Sequence, residues 1–392
     1  MEPLYRCWAE INLDQLKNNY IQIKKGLNNR TMILSVIKAD AYGHGAVKLA
    51  QVLEQLNTDW FAVAELGEAR SLRKGGITRP ILVLGPTYPE QFKLANELDV
   101  TLSVSSLEGA MKLDAAAQEL GVRQRVHIQL DTGMGRYGFD ALDPETAINE
   151  IEKVCKLHSL EVTGIYTHFA TADGKSQEDI NFLKKQHWLF YNIIKALKSR
   201  RITFRIIHCA NSATAMRFPQ LQYNMVRAGI ALYGLSPSGE PIEGFDLKPV
   251  MSLRSRIARI HTIQAGQPIG YGCTFIADRP TRIAVVTAGY ADGVPRTLSN
   301  KGYVSFADGS VAPIVGNVCM DALFIDVTDT PSVKEGDTVT LFGNGPVTAD
   351  TVAGLTGTIS YEVLCGVSRR VPRLYFANGK YLGTIDYTKV IP

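Results

Sequence analysis

Lys38 closes an apolar run, Val36-Ile37-Lys38, and leads directly into Ala39-Asp40-Ala41-Tyr42-Gly43-His44-Gly45. Apolar neighbours deprive a lysine amine of the solvation that favours its charged form. Its pKa then falls, and the free amine can act as a Schiff-base nucleophile. A lysine at the end of a strand more often simply reaches into water. The turn that follows favours chemistry: Tyr42 offers a hydroxyl, and two glycines let backbone approach a ligand closely.

Such a lysine needs a scaffold. Short β-branched runs recur at 32–37, 60–64, 81–84, 100–104, 125–130, 162–166, 204–208 and 224–227. Between most of them lie amphipathic stretches of helical length, such as 46–56, 106–120 and 178–198, with apolar residues three to four apart. Strand–helix alternation predicts parallel strands with helical crossovers. Eight units in about 230 residues match a (β/α)8 TIM barrel, whose active site lies at the C-terminal ends of its strands. Lys38 falls at such an end. An open doubly wound sheet is the rival, but no GxGxxG follows an early strand. The Gly/Pro/Ser-rich stretch 234–249 reads as a linker. Beyond it come short strand runs at 256–263, 282–288, 312–315, 323–326, 338–342 and 381–385, with one helical stretch at 348–355. The fold class is therefore α/β: a barrel over 1–240 followed by a mostly-β domain over 241–392.

Composition narrows the function. The 392 residues are 45% hydrophobic, enough for real cores, and Lys+Arg exceed Asp+Glu by only 42 − 38 = +4 without charged blocks. A nucleic-acid partner is not indicated. The six cysteines show neither metal-ligand spacing nor a disulfide framework, and no metal is expected. The opening MEPLYRCWAEINL lacks a signal peptide's apolar core, and no run approaches a membrane span. A cytoplasmic protein without membrane contact is the expectation.

The segment 36–46, VIKADAYGHGA, resembles the cofactor-lysine signature of the alanine racemases, pyridoxal-phosphate enzymes with a barrel and a C-terminal β-domain. The resemblance runs in order along nearly the whole chain: WAEINL, DTGMGRYGF, YTHFATAD, ANSAT, VRAGIALYG, GYGCTF, GYADGVPR, GNVCMD and ISYEVL. It implies pyridoxal 5'-phosphate on Lys38 and a homodimer with shared active sites. The phosphate would go to Tyr42, Ser212, Tyr361 and the amides of Gly229 and Ile230. Ser212 also reads as a helix N-cap, and a cap beside free amides suits a phosphate.

Arg227 corresponds to the partner of the cofactor's ring nitrogen. An always-charged arginine keeps that nitrogen unprotonated and weakens the electron sink, which suits racemisation better than decarboxylation. Lys38 and Tyr271 of the other subunit would be the two proton-transfer groups of a two-base interconversion of L- and D-alanine. A tyrosine needs cationic or hydrogen-bonding help to act as a base, and His168 resembles the link from it to the ring arginine. Arg136 and the amide of Met320 would hold the substrate carboxylate. Tyr290, Asp173 and Arg296 would frame the entrance. The product would be D-alanine for cell-wall peptidoglycan. No role falls to His127, His158, His187, His208 or His261.

Two positions depart from the family pattern. Gln129 stands where many relatives carry a carbamylated lysine, and no lysine lies between Lys112 and Lys153 to replace it. Its carbonyl is expected to accept a hydrogen bond from Arg136. Asn317 stands where an arginine is usual, which is expected to weaken support of Tyr271. Serine or a larger amino acid is an alternative substrate, and a related decarboxylase an alternative enzyme.

Overall fold

The computed structural model describes residues 5–389. Eight strands form the first layer: Met32–Val36, Trp60–Val63, Ile81–Val83, Thr101–Val104, Gln124–Asp131, Leu160–Tyr166, Ile206–His208 and Met225–Ala228. The first seven pair in parallel, each with the next, and the eighth pairs with the first through Arg227 opposite Leu34. Between Ile206–His208 and the last strand there is no ladder among the described residues, and the seam is bridged by side-chain bonds of Asn224 and Arg227 together with single backbone N–H bonds. Arg227 N–H donates to the Ala210 carbonyl, and Ile207 N–H to Asn224 Oδ1, both at 2.8 Å. Strands covered on both faces read as continuous apolar runs; Ile81, Leu82 and Val83 are all fully buried. The result is a (β/α)8 barrel.

The crossover helices start and stop where their end residues dictate. Gln177–Ser199 begins at a capping box: the Ser176 hydroxyl accepts the Asp179 N–H at 3.0 Å, and the Asp179 carboxylate accepts the Ser176 N–H at 3.1 Å. These bonds satisfy donors a helix start would otherwise leave open. The helix buries Leu183, Leu189, Phe190, Ile193 and Leu197, one stripe at three-to-four spacing.

The second layer is a nine-stranded sheet with Met251–Ile263 as its spine. That strand pairs antiparallel with Cys7–Asn12, Thr338–Phe342 and Thr281–Val286. Cys7–Asn12 also lies parallel to Arg373–Ala377. Residues 7–12, counted with the barrel when the chain is divided at 240, thus belong to the second sheet. Asn12 caps the helix Leu13–Lys25, accepting the N–H groups of Asp14 and Gln15 at 3.0 and 3.2 Å, and that helix carries the chain into the barrel. The strands Cys7–Asn12 and Lys380–Ile385 are therefore tied into one sheet beside the barrel. No helix among the described residues is long and apolar enough to cross a membrane.

Candidate active site

The first barrel strand ends at Val36, and residues 38–42 form one tight turn. Its hand is unusual. Ala39, Asp40, Ala41 and Tyr42 have φ of 51°, 54°, 54° and 52°, so four consecutive non-glycine residues are left-handed, at about 1–2 kcal/mol each. The turn sets Lys38 at the barrel mouth, where burial and then the Arg136 charge lower its amine pKa. The two glycines after it do not make room for a ligand, as the sequence suggests. A Cβ on Gly43 would lie 2.6 Å from the Leu364 carbonyl, and one on Gly45 1.9 Å from the Tyr375 hydroxyl. Their space belongs to the C-terminal domain.

Next to the turn, three groups converge. Gly229 N–H donates to Ser212 Oγ at 2.9 Å. A Cβ on Gly229 would lie 2.9 Å from the Tyr42 hydroxyl and 3.8 Å from Ser212 Oγ. The absent side chain leaves a hollow rimmed by two hydroxyls, a geometry that fits a phosphate. Ser212 is free for this because the helix Ser212–Arg217 is capped by Asn211, whose Oδ1 accepts the Thr214 N–H at 3.0 Å. Ile230 opens the following turn, Ile230–Tyr233. The Tyr361 ring stands 6.0 Å from that of Tyr42. Burial pushes both phenols well above their ordinary pKa, so both remain hydroxyl donors.

Arg227 is 3% exposed, and among the described residues no carboxylate pairs with it. Its Nη1 donates to His208 Nδ1 at 3.0 Å and to the His208 carbonyl at 3.2 Å. Its Nη2 donates to the Thr167 and Cys209 carbonyls at 2.9 and 3.1 Å and to His168 Nδ1 at 3.2 Å. A guanidinium only donates, so both histidines must accept through Nδ1 and carry their proton on Nε2. In His208 that proton faces His127 Nδ1 at 3.1 Å. Burial first and the Arg227 charge next lower the pKa of His168 to about 3. All three imidazoles are neutral near pH 7. The Tyr166 ring stacks on His208 at 4.7 Å and lies 5.5 Å below the Arg227 guanidinium.

Arg136 is placed by its own loop. The Asp131 carboxylate accepts the N–H groups of Gly133, Met134, Gly135 and Arg136 at 2.9, 2.9, 3.1 and 3.1 Å. The guanidinium itself stays exposed, 5.9 Å from the Tyr137 ring. Gln129 does not serve it. Gln129 sits opposite Tyr166 in the parallel ladder, and its Oε1 lies 2.9 Å from the Tyr166 hydroxyl. Strand register therefore decides its partner.

Tyr271, Met320, Tyr290 and Arg296 all lie in the C-terminal domain. Tyr271 is 73% exposed and Met320 52%. Among the described residues no hydrogen bond joins either side chain to Lys38, Arg136 or Arg227. Asn317 Nδ2 donates to the Tyr271 carbonyl at 2.7 Å, so the asparagine grips the backbone of that turn. Tyr290 N–H donates to the Cys319 carbonyl and Ala291 N–H to the Met320 carbonyl, both at 3.0 Å. Asp292, 1% exposed, steadies the same loop. It accepts Gly289 N–H at 3.0 Å, Arg6 Nη2 at 2.7 Å and Arg370 Nε at 2.9 Å. Arg296 is near enough to bear on Cys319, and Asp173 on Tyr361.

Models of the alanine racemase N-terminal and C-terminal domains match residues 11–237 and 250–375. The chain belongs to the alanine racemase family. The alanine racemase of Desulforamulus reducens is 44% identical over 375 residues, 95% of this chain and 99% of that protein. A solved alanine racemase of Clostridium difficile 630 has a TM-score of 0.93 at 41% identity, covering 98% of this chain and 100% of that one. The alanine racemase of Bacillus anthracis with bound L-Ala-P has a TM-score of 0.92 at 37% identity, with full coverage of both chains. Membership places the protein among the isomerases.

The racemase fold brings together several residues to which the sequence reading attached no role. His208 ends a barrel strand, as His168 nearly does, and that shared position was the available signal. His127 lies inside the barrel against Trp60, ring to ring at 5.5 Å, and nothing in its sequence context marks it. Asp131 and Asp292 act on backbone amides and arginines that only the fold brings near. Among the described residues no cluster of His, Cys, Asp and Glu is suited to a metal.

Proposed function

We propose that the protein interconverts L- and D-alanine with pyridoxal 5'-phosphate held at Lys38. The observation that carries this is one juxtaposition: a lysine with a lowered pKa, a hydroxyl-rimmed hollow at Gly229, and a buried arginine bonded to histidines and backbone carbonyls. When bound, this cofactor supplies an aldehyde for amines and a ring that draws electron density from the substrate's α-carbon. Tyr42, Ser212, Tyr361 and the amides of Gly229 and Ile230 would hold its phosphate. Arg227 would face its ring nitrogen and, being unable to give up a proton readily, would keep that nitrogen unprotonated. His208, Thr167 and Cys209 fix Arg227 in place. A ring held so would be a weaker electron sink, which would suit proton exchange at the α-carbon better than cleavage of its other bonds. Arg227 in place of an acidic residue at that nitrogen argues against the decarboxylase alternative.

Lys38 would exchange a proton on one face of the α-carbon and Tyr271 of the partner subunit on the other. His168, bonded to Arg227, has its Nε2–H free to orient that tyrosine. Arg136 would take the substrate carboxylate in its fork, beside the amide of Met320 of the partner subunit. Tyr290, Asp173 and Arg296 would frame the entrance. The exposure of Tyr271 and Met320, far from any bond to Lys38 in their own chain, supports a homodimer with shared sites. D-alanine for peptidoglycan would be the product. The six free cysteines suit a reducing cytoplasm.

Optical rotation of L-alanine incubated with the pure protein tests the reaction. It should decay to zero without release of carbon dioxide. Rotation that holds steady, or carbon dioxide that accumulates, would overturn the reading.

A further inference from the structure

We propose that Arg373, Tyr375 and Tyr387, from the last strands and the segment after them, are positioning residues that hold Lys38 in place by gripping the left-handed turn behind it. The proposal rests on the reading of Lys38 as the cofactor amine. A left-handed turn of L-residues opposes its own side-chain sterics, so its persistence depends on bonds from outside. Its internal bonds include Ala41 N–H to Ile37, Gly43 N–H to Ala39 and Gly45 N–H to Asp40, each 2.9 Å, His44 N–H to Ala41 at 3.1 Å, and His44 Nδ1 to the Ala41 and Tyr42 carbonyls at 2.9 Å.

The outside bonds come from two directions. From the barrel, Glu68 accepts Ala39 N–H at 2.5 Å and, through its other oxygen, Ala64 N–H at 2.7 Å. From the C-terminal domain, Arg373 Nε donates to the Gly43 carbonyl and the Tyr375 hydroxyl to the His44 carbonyl, both at 2.9 Å. The Tyr387 hydroxyl donates to Asp40 Oδ2, and Asp40 Oδ1 accepts Ala46 N–H at 2.8 Å. One carboxylate thus joins the tail to both ends of the turn's exit.

These anchors are themselves rigid. Arg373 is 1% exposed, and its remaining nitrogens donate to the carbonyls of Ser368 and Val371 at 2.6 Å and of Val367 at 2.8 Å. The guanidinium groups of Arg373 and Arg369 lie 5.4 and 5.6 Å from the Tyr387 ring and orient the phenol. Burial keeps both tyrosines protonated. Gly43 and Gly45 complete the fit, since a Cβ at either would strike Leu364 or Tyr375. Among the described residues the bonds of these three go to the backbone and to Asp40 and not to the Lys38 side chain, so they act through the backbone that carries it.

The test uses the folded apoprotein in wild-type, Tyr387→Phe and Tyr375→Phe forms, with Tyr381→Phe as a control whose hydroxyl reaches only Thr384. Amide hydrogen exchange is read over residues 39–46 and, for comparison, over Gln177–Ser199. Cofactor affinity is read from titration with pyridoxal 5'-phosphate, and borohydride followed by peptide mapping locates the label. Losing a bond to a charged group should speed exchange in the turn about tenfold or more in Tyr387→Phe. The cofactor dissociation constant should rise about as much, while the comparison helix and Tyr381→Phe stay at wild-type values. Exchange and affinity unchanged in both tyrosine variants would overturn the proposal, as would faster exchange spread evenly through the protein. Wild-type label mapping away from Lys38 would overturn it separately, by removing the reading beneath it.

Discussion

Burial and the neighbouring Arg136 guanidinium both disfavour a protonated Lys38 amine. Arg136→Gln relieves the second influence. The pH at which half of Lys38 reacts with pyridoxal 5'-phosphate in the apoprotein should therefore move up. Borohydride-fixed label measured against pH checks this, and an unchanged or lower midpoint would mean the arginine charge does not reach the amine. Tyr271→Phe removes one hydroxyl from a side chain that is 73% exposed in its own chain. Racemisation should fall by about 10²–10⁴, the usual contribution of a positioned acid–base group, with cofactor retained. Deuterium exchange at the α-carbon should survive better from one alanine enantiomer than from the other; equal loss from both would contradict two faces with two bases. At this scale the strand-end position of Lys38, and the motifs around Tyr42, Ser212 and Arg227, are legible in the sequence. His127 is not, because a histidine inside an apolar strand looks like core until its ring nitrogen is seen facing His208, and His208 carries only its place at a strand end as a signal.

Elements are legible in proportion to how locally they are specified. All eight barrel strands correspond to apolar runs in the sequence, because each is short, β-branched and covered on both faces. Cys7–Asn12 pairs with a strand some 240 residues away, and Arg373–Ala377 starts on a buried arginine after a proline, so neither announces its sheet. The helix Ser360–Cys365 and the strand Tyr303–Ser305 escape for want of length. The left-handed turn after Lys38 contains no glycine at 39–42 and is invisible without its partners. The loop 133–136 depends on one carboxylate. Asp131→Ala leaves four N–H groups without their acceptor, so Arg136 should lose its fixed position. The KM for alanine should rise about tenfold or more while cofactor content and the absorption of the bound cofactor are unchanged. A variant with normal KM would show that Arg136 needs no such support.

For the whole molecule, four buried neutral histidines link folding to pH. Burial lowers His44 to about 4, His127 and His168 to about 3, and His208 well below the ordinary 6.5. The unfolded chain binds these protons first, so stability is full above 6.5 and falls as pH drops below it toward the folded-state values. Each histidine contributes a slope of roughly 1.4 kcal/mol per pH unit once the unfolded form is protonated. The urea midpoint of the apoprotein should thus fall steeply between pH 6.5 and 5, before most carboxylates titrate, and His127→Gln should flatten that slope. A midpoint level across the window would contradict the neutral imidazoles around Arg227.

The shared site is the claim on which the mechanism turns. Lys38→Ala and Tyr271→Phe chains, each inactive alone, are mixed, allowed to exchange, and the heterodimer is quantified by native mass spectrometry. A mixed dimer holds one site with both substitutions and one with neither. An equal mixture should therefore recover about a quarter of wild-type activity if subunits pair at random. Heterodimers present in the expected amount with no activity above either parent would contradict the account.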